Sequence, residues 1–99
     1  MKEITCVLGR KITLTDERYL HITLTHPEMD GKKEEAIKTL TGADFIQKSV
    51  HDENVQLYYK SAGKGEYFVV VVKVLNNHGF IITSYKADVI KKGDTIWKK

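Results

Sequence analysis

An apolar run in the second half of the chain, Tyr67-Phe68-Val69-Val70-Val71-Val72-Lys73-Val74, constrains the fold more than any other feature. Because both of its alternating faces are apolar, the run is typical of a central strand that is covered on both sides. It is bounded by Ser61-Ala62-Gly63-Lys64-Gly65 and Asn76-Asn77-His78-Gly79, which favour tight turns. We therefore predict a central strand at Glu66 to Leu75, joined to its neighbours by hairpins.

Three other segments have the composition of β-strands. They are Ala43 to Ser49, Val55 to Lys60 and Phe80 to Lys86. Since the short turns leave no room for the helical crossovers that parallel strands require, the four strands are expected to form an antiparallel meander. Strict alternation along the last strand would place Ile81, Thr83 and Tyr85 on one face.

The segment Gly31 to Thr41 predicts a helix. Its apolar residues share one stripe, and charged residues occupy the opposite face. Asp30 is the expected N-cap, and Gly42 is the expected stop. We therefore expect a helix that packs one face on the sheet.

The segment Thr15 to Thr25 is ambiguous. Thr15 followed by two acidic residues is typical of a helix start, because it offers a cap and negative charge in the first turn. The alternation from Leu20 to Thr25, with its many β-branched residues, is typical of a strand. A helix would end near His26, because Pro27 disfavours the α conformation of the residue before it.

Two histidines lie five residues apart in this region. On the helical alternative, Arg18, His21 and Thr25 share one face at the spacing i, i+3, i+7. His26 would then lie just beyond the end of the helix. The two imidazoles would therefore occupy different local environments.

The size and residue types of the chain exclude several classes of protein. Its 99 residues predict one domain over residues 1–99. Cys6 is the only cysteine, which excludes an internal disulfide and the Cys-based zinc frameworks. The histidines form no His-x-x-x-His pair, so we predict neither a metal nor another cofactor. The first residues lack the apolar core of a signal peptide, and no apolar run approaches the ~20 residues of a membrane span, so we expect a cytoplasmic protein without a membrane partner.

Positive charge is concentrated near the end of the chain. The net charge is +3, and the late lysines are Lys86, Lys91, Lys92, Lys98 and Lys99. A basic segment attracts phosphate at long range but carries no sequence information. Such a segment is equally typical of a solvated surface, so charge alone leaves both alternatives open.

Several short blocks resemble the sequence of one family. Thr15-Asp16-Glu17-Arg18-Tyr19-Leu20-His21-Ile22 and His26-Pro27-Glu28-Met29 resemble the pattern T-D-E-R-x-x-H-I-x-x-R-H-P-E. Leu57-Tyr58-Tyr59-Lys60, Val69-Val70-Val71-Val72 and Phe80-Ile81-Ile82-Thr83-Ser84-Tyr85 resemble its tyrosine-rich, central and F-I-I-T-A-Y strands. The pattern is that of a phage and bacterial family in the barnase/EndoU/colicin/RelE-like (BECR) nuclease superfamily.

The resemblance begins near Arg10 and covers most of the chain. It implies an α+β fold in which two N-terminal helices pack on a four-stranded antiparallel β-meander, and it favours the helical alternative for the ambiguous segment. Two positions depart from the pattern, since Thr25 replaces an arginine and Ser84 replaces an alanine. The first departure removes a side chain that could bind phosphate, and Arg18, Arg10 or Lys86 would have to compensate for it.

The resemblance implies a metal-independent ribonuclease that cleaves RNA by 2′-OH transesterification, such as a toxin or a phage-associated effector. Its partners would be RNA and a cognate inhibitor or antitoxin protein. This chemistry needs a base, an acid and groups that stabilise the charged phosphorane, and imidazoles suit the proton transfers. The expected catalytic residues are His21, His26, Arg18, Thr83 and Tyr85, and the expected substrate-binding residues are Lys86, Arg10 and Tyr59.

Each of these residues also has a structural alternative. His21 would be a helix-surface histidine, His26 a residue that satisfies a helix end, and Thr83 and Tyr85 ordinary strand formers. The corresponding alternatives for the whole domain are a non-catalytic RNA- or protein-binding module of the same fold, and an inhibitor or antitoxin.

Overall fold

The computed structural model describes residues 1–99 as a layer of helices packed on one face of a sheet. The elements in chain order are β1 (Lys2–Thr5), β2 (Lys11–Leu14), α1 (Asp16–Thr25), a 3-10 turn (Pro27–Met29), α2 (Lys33–Thr41), β3 (Phe45–Ser49), β4 (Val55–Gly63), β5 (Glu66–Leu75), β6 (His78–Ala87) and β7 (Gly93–Lys98). The strands form one seven-stranded sheet in the order β1-β2-β6-β5-β4-β3-β7. Neither helix is both long and apolar enough to cross a membrane.

The fold belongs to the α+β class, but the prediction of two helices on a four-stranded antiparallel meander is wrong. Three further strands, β1, β2 and β7, extend the sheet to seven. The sheet is mixed, because β2 pairs in parallel with β6, from Lys11 opposite His78 to Thr13 opposite Phe80. The edge strand β1 pairs with β2 alone, and β2 in turn depends on β6, which is distant in sequence. Local patterns of alternation do not report such distant pairing.

The middle strand of the sheet is β5, as its apolar run predicts. Val70 and Val72 point into the core beneath the helices, and Val69 packs into a second cluster on the opposite face. All three side chains are fully buried. Both faces of β5 are therefore covered, and this explains why the strand has no polar face.

The core between the sheet and the helices contains 14 buried residues. Ile22 of α1, Met29 of the 3-10 turn and Leu40 of α2 supply its helical side. Ile12 and Ile81 belong to its sheet side. The burial of these apolar side chains fixes the position of α1 against β6.

The structure resolves the ambiguous segment as helix α1. The Thr15 hydroxyl accepts a hydrogen bond of 3.0 Å from the Arg18 N–H, and this is the expected N-cap interaction. The helix ends at His26, whose N–H donates to the Ile22 carbonyl. The predicted N-cap of α2 is wrong, because Asp30 ends the preceding 3-10 turn and α2 starts beyond it with Lys32 as an N-cap that makes no side-chain hydrogen bond.

The face of the sheet that lies away from the helices is named the open face here. Its buried centre is formed by Leu57, Tyr59 and Val69. The connection from β6 to β7, residues 88–92, crosses this face because β5, β4 and β3 lie between the two strands that it joins. The Lys91 N–H at the middle of this 88–92 strap donates a hydrogen bond of 3.3 Å to the Tyr59 hydroxyl.

Candidate active site

The geometry of the candidate site begins with an irregularity in β6. Val71 pairs with Thr83 and Val72 pairs with Ile81, so Ile82 is the extra residue of a β-bulge. The bulge breaks the alternation of β6. Ile81 is buried beneath the helices, whereas Tyr85 packs against the open-face cluster. The expectation that Ile81 shares a face with Thr83 and Tyr85 is therefore wrong.

One edge of β6 beyond the bulge has no neighbouring strand, because β2 pairs with β6 only from His78 to Phe80. Helix α1 runs beside this edge, and the Arg18 guanidinium donates a long hydrogen bond of 3.5 Å to the carbonyl of Ile82. A cleft of about 310 Å³, named the α1–β6 cleft, lies between helix and strand. It is lined by Arg18, His21, Ile22, Thr25, His26, Ile82 and Thr83.

Two shallow depressions adjoin the α1–β6 cleft, and Arg18 lines both of them as well as the cleft. One depression of about 410 Å³ is lined by Thr15, Glu17, Arg18 and His21. The other, of about 220 Å³, is lined by Thr13, Thr15, Arg18, Phe80 and Ile81. The guanidinium therefore stands at the centre of one polar groove along α1.

His21 is exposed and makes no side-chain hydrogen bond within the chain. It lies one turn after Arg18 on the same helix face, and Ile22 next to it is buried against the sheet. Burial of Ile22 therefore sets the rotation of α1 that directs Arg18 and His21 into the cleft. The imidazole of His21 is free to exchange a proton with a ligand.

His26 occupies the end of α1 and is partly buried. Its Nδ1 lies 3.7 Å from Oε2 of Glu28, and its ring centroid lies 5.4 Å from that of Tyr85. Pro27 follows directly and starts the 3-10 turn, which directs the chain away from α1. A carboxylate at Nδ1 and an aromatic ring beside it orient this imidazole.

Tyr85 lies on the open face and borders the α1–β6 cleft through its contact with His26. Its hydroxyl oxygen is buried and has no hydrogen-bond partner. Burial raises the pKa of Tyr85. The phenol is therefore neutral near physiological pH and retains a proton that it can donate.

The three expected substrate-binding residues lie outside the α1–β6 cleft. The Lys86 ammonium lies 3.5 Å from Oε1 of Glu66 and is not among the groups that line the cleft. Tyr59 lies on the open face, where its ring stacks on that of Phe45 at a centroid distance of 4.6 Å. Strand alternation separates Tyr59 from α1, whereas Lys86 is on the helix side of β6, where its ammonium lies 5.7 Å from the ring centroid of Phe68.

Arg10 lies in the connection between β1 and β2, near the buried hydroxyl of Tyr58. Burial raises the pKa of Tyr58, and the positive charge of Arg10 opposes that increase. The Tyr58 hydroxyl donates to Sγ of Cys6 at 3.1 Å, so this cluster ties the β1–β2 hairpin to β4. Arg10 therefore lies beside Tyr58 and lines neither the α1–β6 cleft nor its two adjoining depressions.

The structure brings Arg18, His21, His26 and Thr83 into one cleft and places Tyr85 at its border. No carboxylate lines the cleft, and no group of three or more His, Cys, Asp or Glu side chains is arranged to hold a metal ion. The cleft therefore combines two proton-transfer groups with one fixed positive charge.

Sequence reasoning did not identify Thr13, Thr15 or the Ile82 carbonyl as parts of this groove. The sequence pattern around Thr15 predicts a helix cap, and it does not indicate that Thr15 also lines the groove. No local signal reveals the bulge. Comparison of the chain with family models, curated proteins and solved structures gives no match.

Proposed function

We propose that this chain is a metal-independent endoribonuclease that cleaves RNA by 2′-OH transesterification in the α1–β6 cleft. The observation that carries the proposal is the presence of two imidazoles, His21 and His26, and the Arg18 guanidinium around one open cleft. Two imidazoles can supply the base and the acid of this reaction, and a guanidinium can stabilise the charge of its phosphorane.

The reaction needs two proton transfers and no external oxidant or cofactor. A base takes the proton of the 2′-OH, and the 2′ oxygen forms a bond to phosphorus. The bond from phosphorus to the 5′ oxygen breaks, and an acid supplies a proton to that oxygen. The products are a 2′,3′-cyclic phosphate end and a free 5′-OH end.

We assign the base to His21 and the acid to His26. His21 has no partner within the chain, so a substrate hydroxyl meets no competitor for its imidazole. His26 has the Glu28 carboxylate 3.7 Å from Nδ1, which orients the ring and leaves Nε2 for the departing oxygen. Arg18, one turn before His21 on the same helix face, would stabilise negative charge on the phosphorane.

Thr83 and Tyr85 would orient the RNA in this scheme. Thr83 lines the cleft, and a threonine hydroxyl can bond to a phosphate oxygen. Tyr85 offers an aromatic face beside His26, on which a base next to the scissile phosphate can stack. The single cysteine is compatible with an enzyme that acts on cytoplasmic RNA.

A non-catalytic binding module of the same fold is the second candidate. Arg18 already donates to the Ile82 carbonyl, and Thr25 supplies no replacement cation beside it. A module of this kind would bind RNA or a protein partner, such as an inhibitor or antitoxin, through the same groove. It would bind without cleaving.

The test is cleavage of single-stranded RNA by the purified protein in EDTA, and of ribosome-bound RNA in the Mg²⁺ that intact ribosomes require. We expect products with 2′,3′-cyclic phosphate ends, loss of cleavage in His21→Ala, and full cleavage in the control His78→Ala. His78 is an exposed histidine at the start of β6, outside the α1–β6 cleft. Wild-type protein that leaves both RNA substrates intact would exclude the ribonuclease and favour the binding module.

A further inference from the structure

The 88–92 strap separates two cavities of equal size on the open face. Each measures about 490 Å³. One contains Lys91 and Lys92 of the strap and lies over the starting half of β4, and the other contains Ile90 and lies over its far end. Because the two cavities have equal volumes, they can be compared by the chemistry of the residues that line them.

The cavity beside Lys91 and Lys92 is named the basic cavity. Its lining residues are Ser49, Val50, His51, Leu57, Val71, Lys91 and Lys92. Leu57 and Val71 come from the sheet and form an apolar floor, and the lining also includes the basic residues Lys91 and Lys92 and the histidine His51. No carboxylate lines this cavity, so its positive charge is not neutralised from within.

The other cavity, named the aromatic cavity, is chemically mixed. Phe45 and Tyr67 supply aromatic walls, and Lys98 lies in the same lining as the Asp44 carboxylate. The Asp44 carboxylate also accepts a hydrogen bond of 2.7 Å from the Ser61 N–H. Its charges are balanced, and it therefore has no general attraction for anions.

We propose that the basic cavity binds one nucleotide of single-stranded RNA, as a subsite for the strand that leaves the α1–β6 cleft. The inference rests on the proposed ribonuclease function for the position of the scissile phosphate. The base would pack on Leu57 and Val71, and its phosphate would bind Lys91 and Lys92. A volume of about 490 Å³ lies in the size range of small-molecule sites.

Two contacts connect the cleft with the basic cavity. Thr83 lines the cleft, and its cross-strand partner Val71 lines the basic cavity. The Tyr85 ring has the His26 ring at 5.4 Å and the Lys91 ammonium at 5.4 Å. A chain that passes from the cleft over the edge of β6 therefore meets an aromatic face and then a pair of cations.

The combination of groups favours single-stranded RNA over an acidic peptide. Nucleotides present an apolar ring face and an anion at a fixed separation, and the basic cavity offers an apolar floor with cations around it. An acidic peptide presents charge without a flat ring for that floor. Binding by phosphate contact and stacking would be tolerant of sequence.

Fluorescence anisotropy with labelled 2′-O-methyl RNA tests the subsite, because this RNA lacks the attacking hydroxyl and stays intact. The variant Lys91→Gln/Lys92→Gln removes both cations of the basic cavity. We expect its affinity to fall on the order of tenfold, and the slope of log affinity against log salt to decrease by about 1.4, as for two single-strand phosphate contacts. The control Lys98→Gln/Lys99→Gln removes the same charge near the end of β7 and should change affinity much less.

The outcomes separate the subsite from the enzyme. Equal losses in the two double variants, or no loss in either, overturn the subsite even if wild-type protein cleaves RNA. Loss confined to Lys91→Gln/Lys92→Gln supports the subsite, and it does so even if no cleavage is found and the ribonuclease proposal fails. Displacement of the RNA by polyglutamate as readily as by unlabelled RNA of equal charge would overturn the choice of nucleic acid in favour of an acidic protein.

Discussion

The Arg18 guanidinium on α1 donates to the carbonyl of Ile82, the extra residue in the bulge of β6. The bulge removes this carbonyl from the regular ladder and exposes it at the edge of the sheet. One guanidinium therefore ties the helix to the strand and keeps further N–H groups for a ligand. Through this contact, the bulge in β6 helps to position the Arg18 guanidinium in the cleft.

The first prediction concerns Arg18. Arg18→Gln should reduce RNA cleavage on the order of 10²- to 10³-fold, because a donor to the phosphorane is lost. The free energy of unfolding should change by less than about 0.5 kcal/mol, because the side chain is exposed and its hydrogen bond is long. Single-turnover cleavage and urea unfolding measure the two quantities. Arg18→Lys, which keeps the charge without the planar fork, should fall between Gln and wild type.

The second prediction separates the two histidines. His21→Ala should reduce cleavage by about 10²- to 10⁴-fold, which is the loss expected when a general acid or base is removed. The free energy of unfolding should not change, because the ring has no partner within the chain. His26→Ala should reduce cleavage and also destabilise the fold by about 1 kcal/mol, since its ring packs beside Tyr85. Urea unfolding of both variants tests the difference. Equal stability losses would contradict the placement of His26 at the end of α1.

The third prediction tests the rotation of α1. Ile22 is 2% exposed and Leu24, two residues later, is 71% exposed. Ile22→Ala should lower the free energy of unfolding by about 2 to 5 kcal/mol, because it leaves a cavity in the core. Leu24→Ala should change it by less than about 0.5 kcal/mol. A strand in place of α1 would put both side chains on one face, and the two losses would then be similar.

The fourth prediction uses the unpartnered hydroxyl of Tyr85. Tyr85→Phe should raise the free energy of unfolding by about 1 kcal/mol at neutral pH, because a buried polar group without a partner is removed. The control Tyr59→Phe should lower it by a similar amount, since that hydroxyl accepts from the Lys91 N–H. Urea unfolding of both variants measures the opposite signs.

The same variant predicts a dependence on pH. Burial raises the pKa of Tyr85 above its usual value of 10.0, so the folded state retains a proton that the unfolded state loses. The corresponding stability is present below about pH 10 and disappears as pH rises through the folded pKa. Tyr85→Phe lacks this loss, and its advantage over wild type should widen in alkaline solution. Parallel stability curves for the two proteins would contradict the burial of this phenol.

Strands β3 to β6 were predictable because their signals are local. Turn residues bound them, and the two-sided apolar run of β5 required a central position. The N-cap at Thr15 was also readable, because Thr followed by acidic residues satisfies a helix start within a few residues. The turns, the apolar run and the helix cap depend on residues that are close in sequence, so each can be recognised from a short segment of the chain.

Strands β2 and β7 depend on partners that are remote in sequence. β2 pairs with β6, and β7 pairs with β3. Neither pair is joined by a short turn, so no hairpin signal in the sequence indicates the pairing. The bulge at Ile82 depends on the register of β5 against β6 and leaves no mark in the composition of the strand. His21 and Arg18 were predictable as neighbours on a helix, but their approach to Thr83 required the packing of α1 on that irregular edge.

The 88–92 strap also limits how this chain can vary in length. Its five residues connect Ala87 to Gly93 across three strands, and four spacings of about 4.8 Å require at least about 19 Å. Six steps of about 3.3 Å along the chain join Ala87 to Gly93 and reach about 20 Å, so the connection has almost no slack. Deletion of a single residue there would force either the end of β6 or the start of β7 out of the sheet, whereas insertions would be accommodated. Homologous chains are therefore expected to lengthen at this crossing and not to shorten.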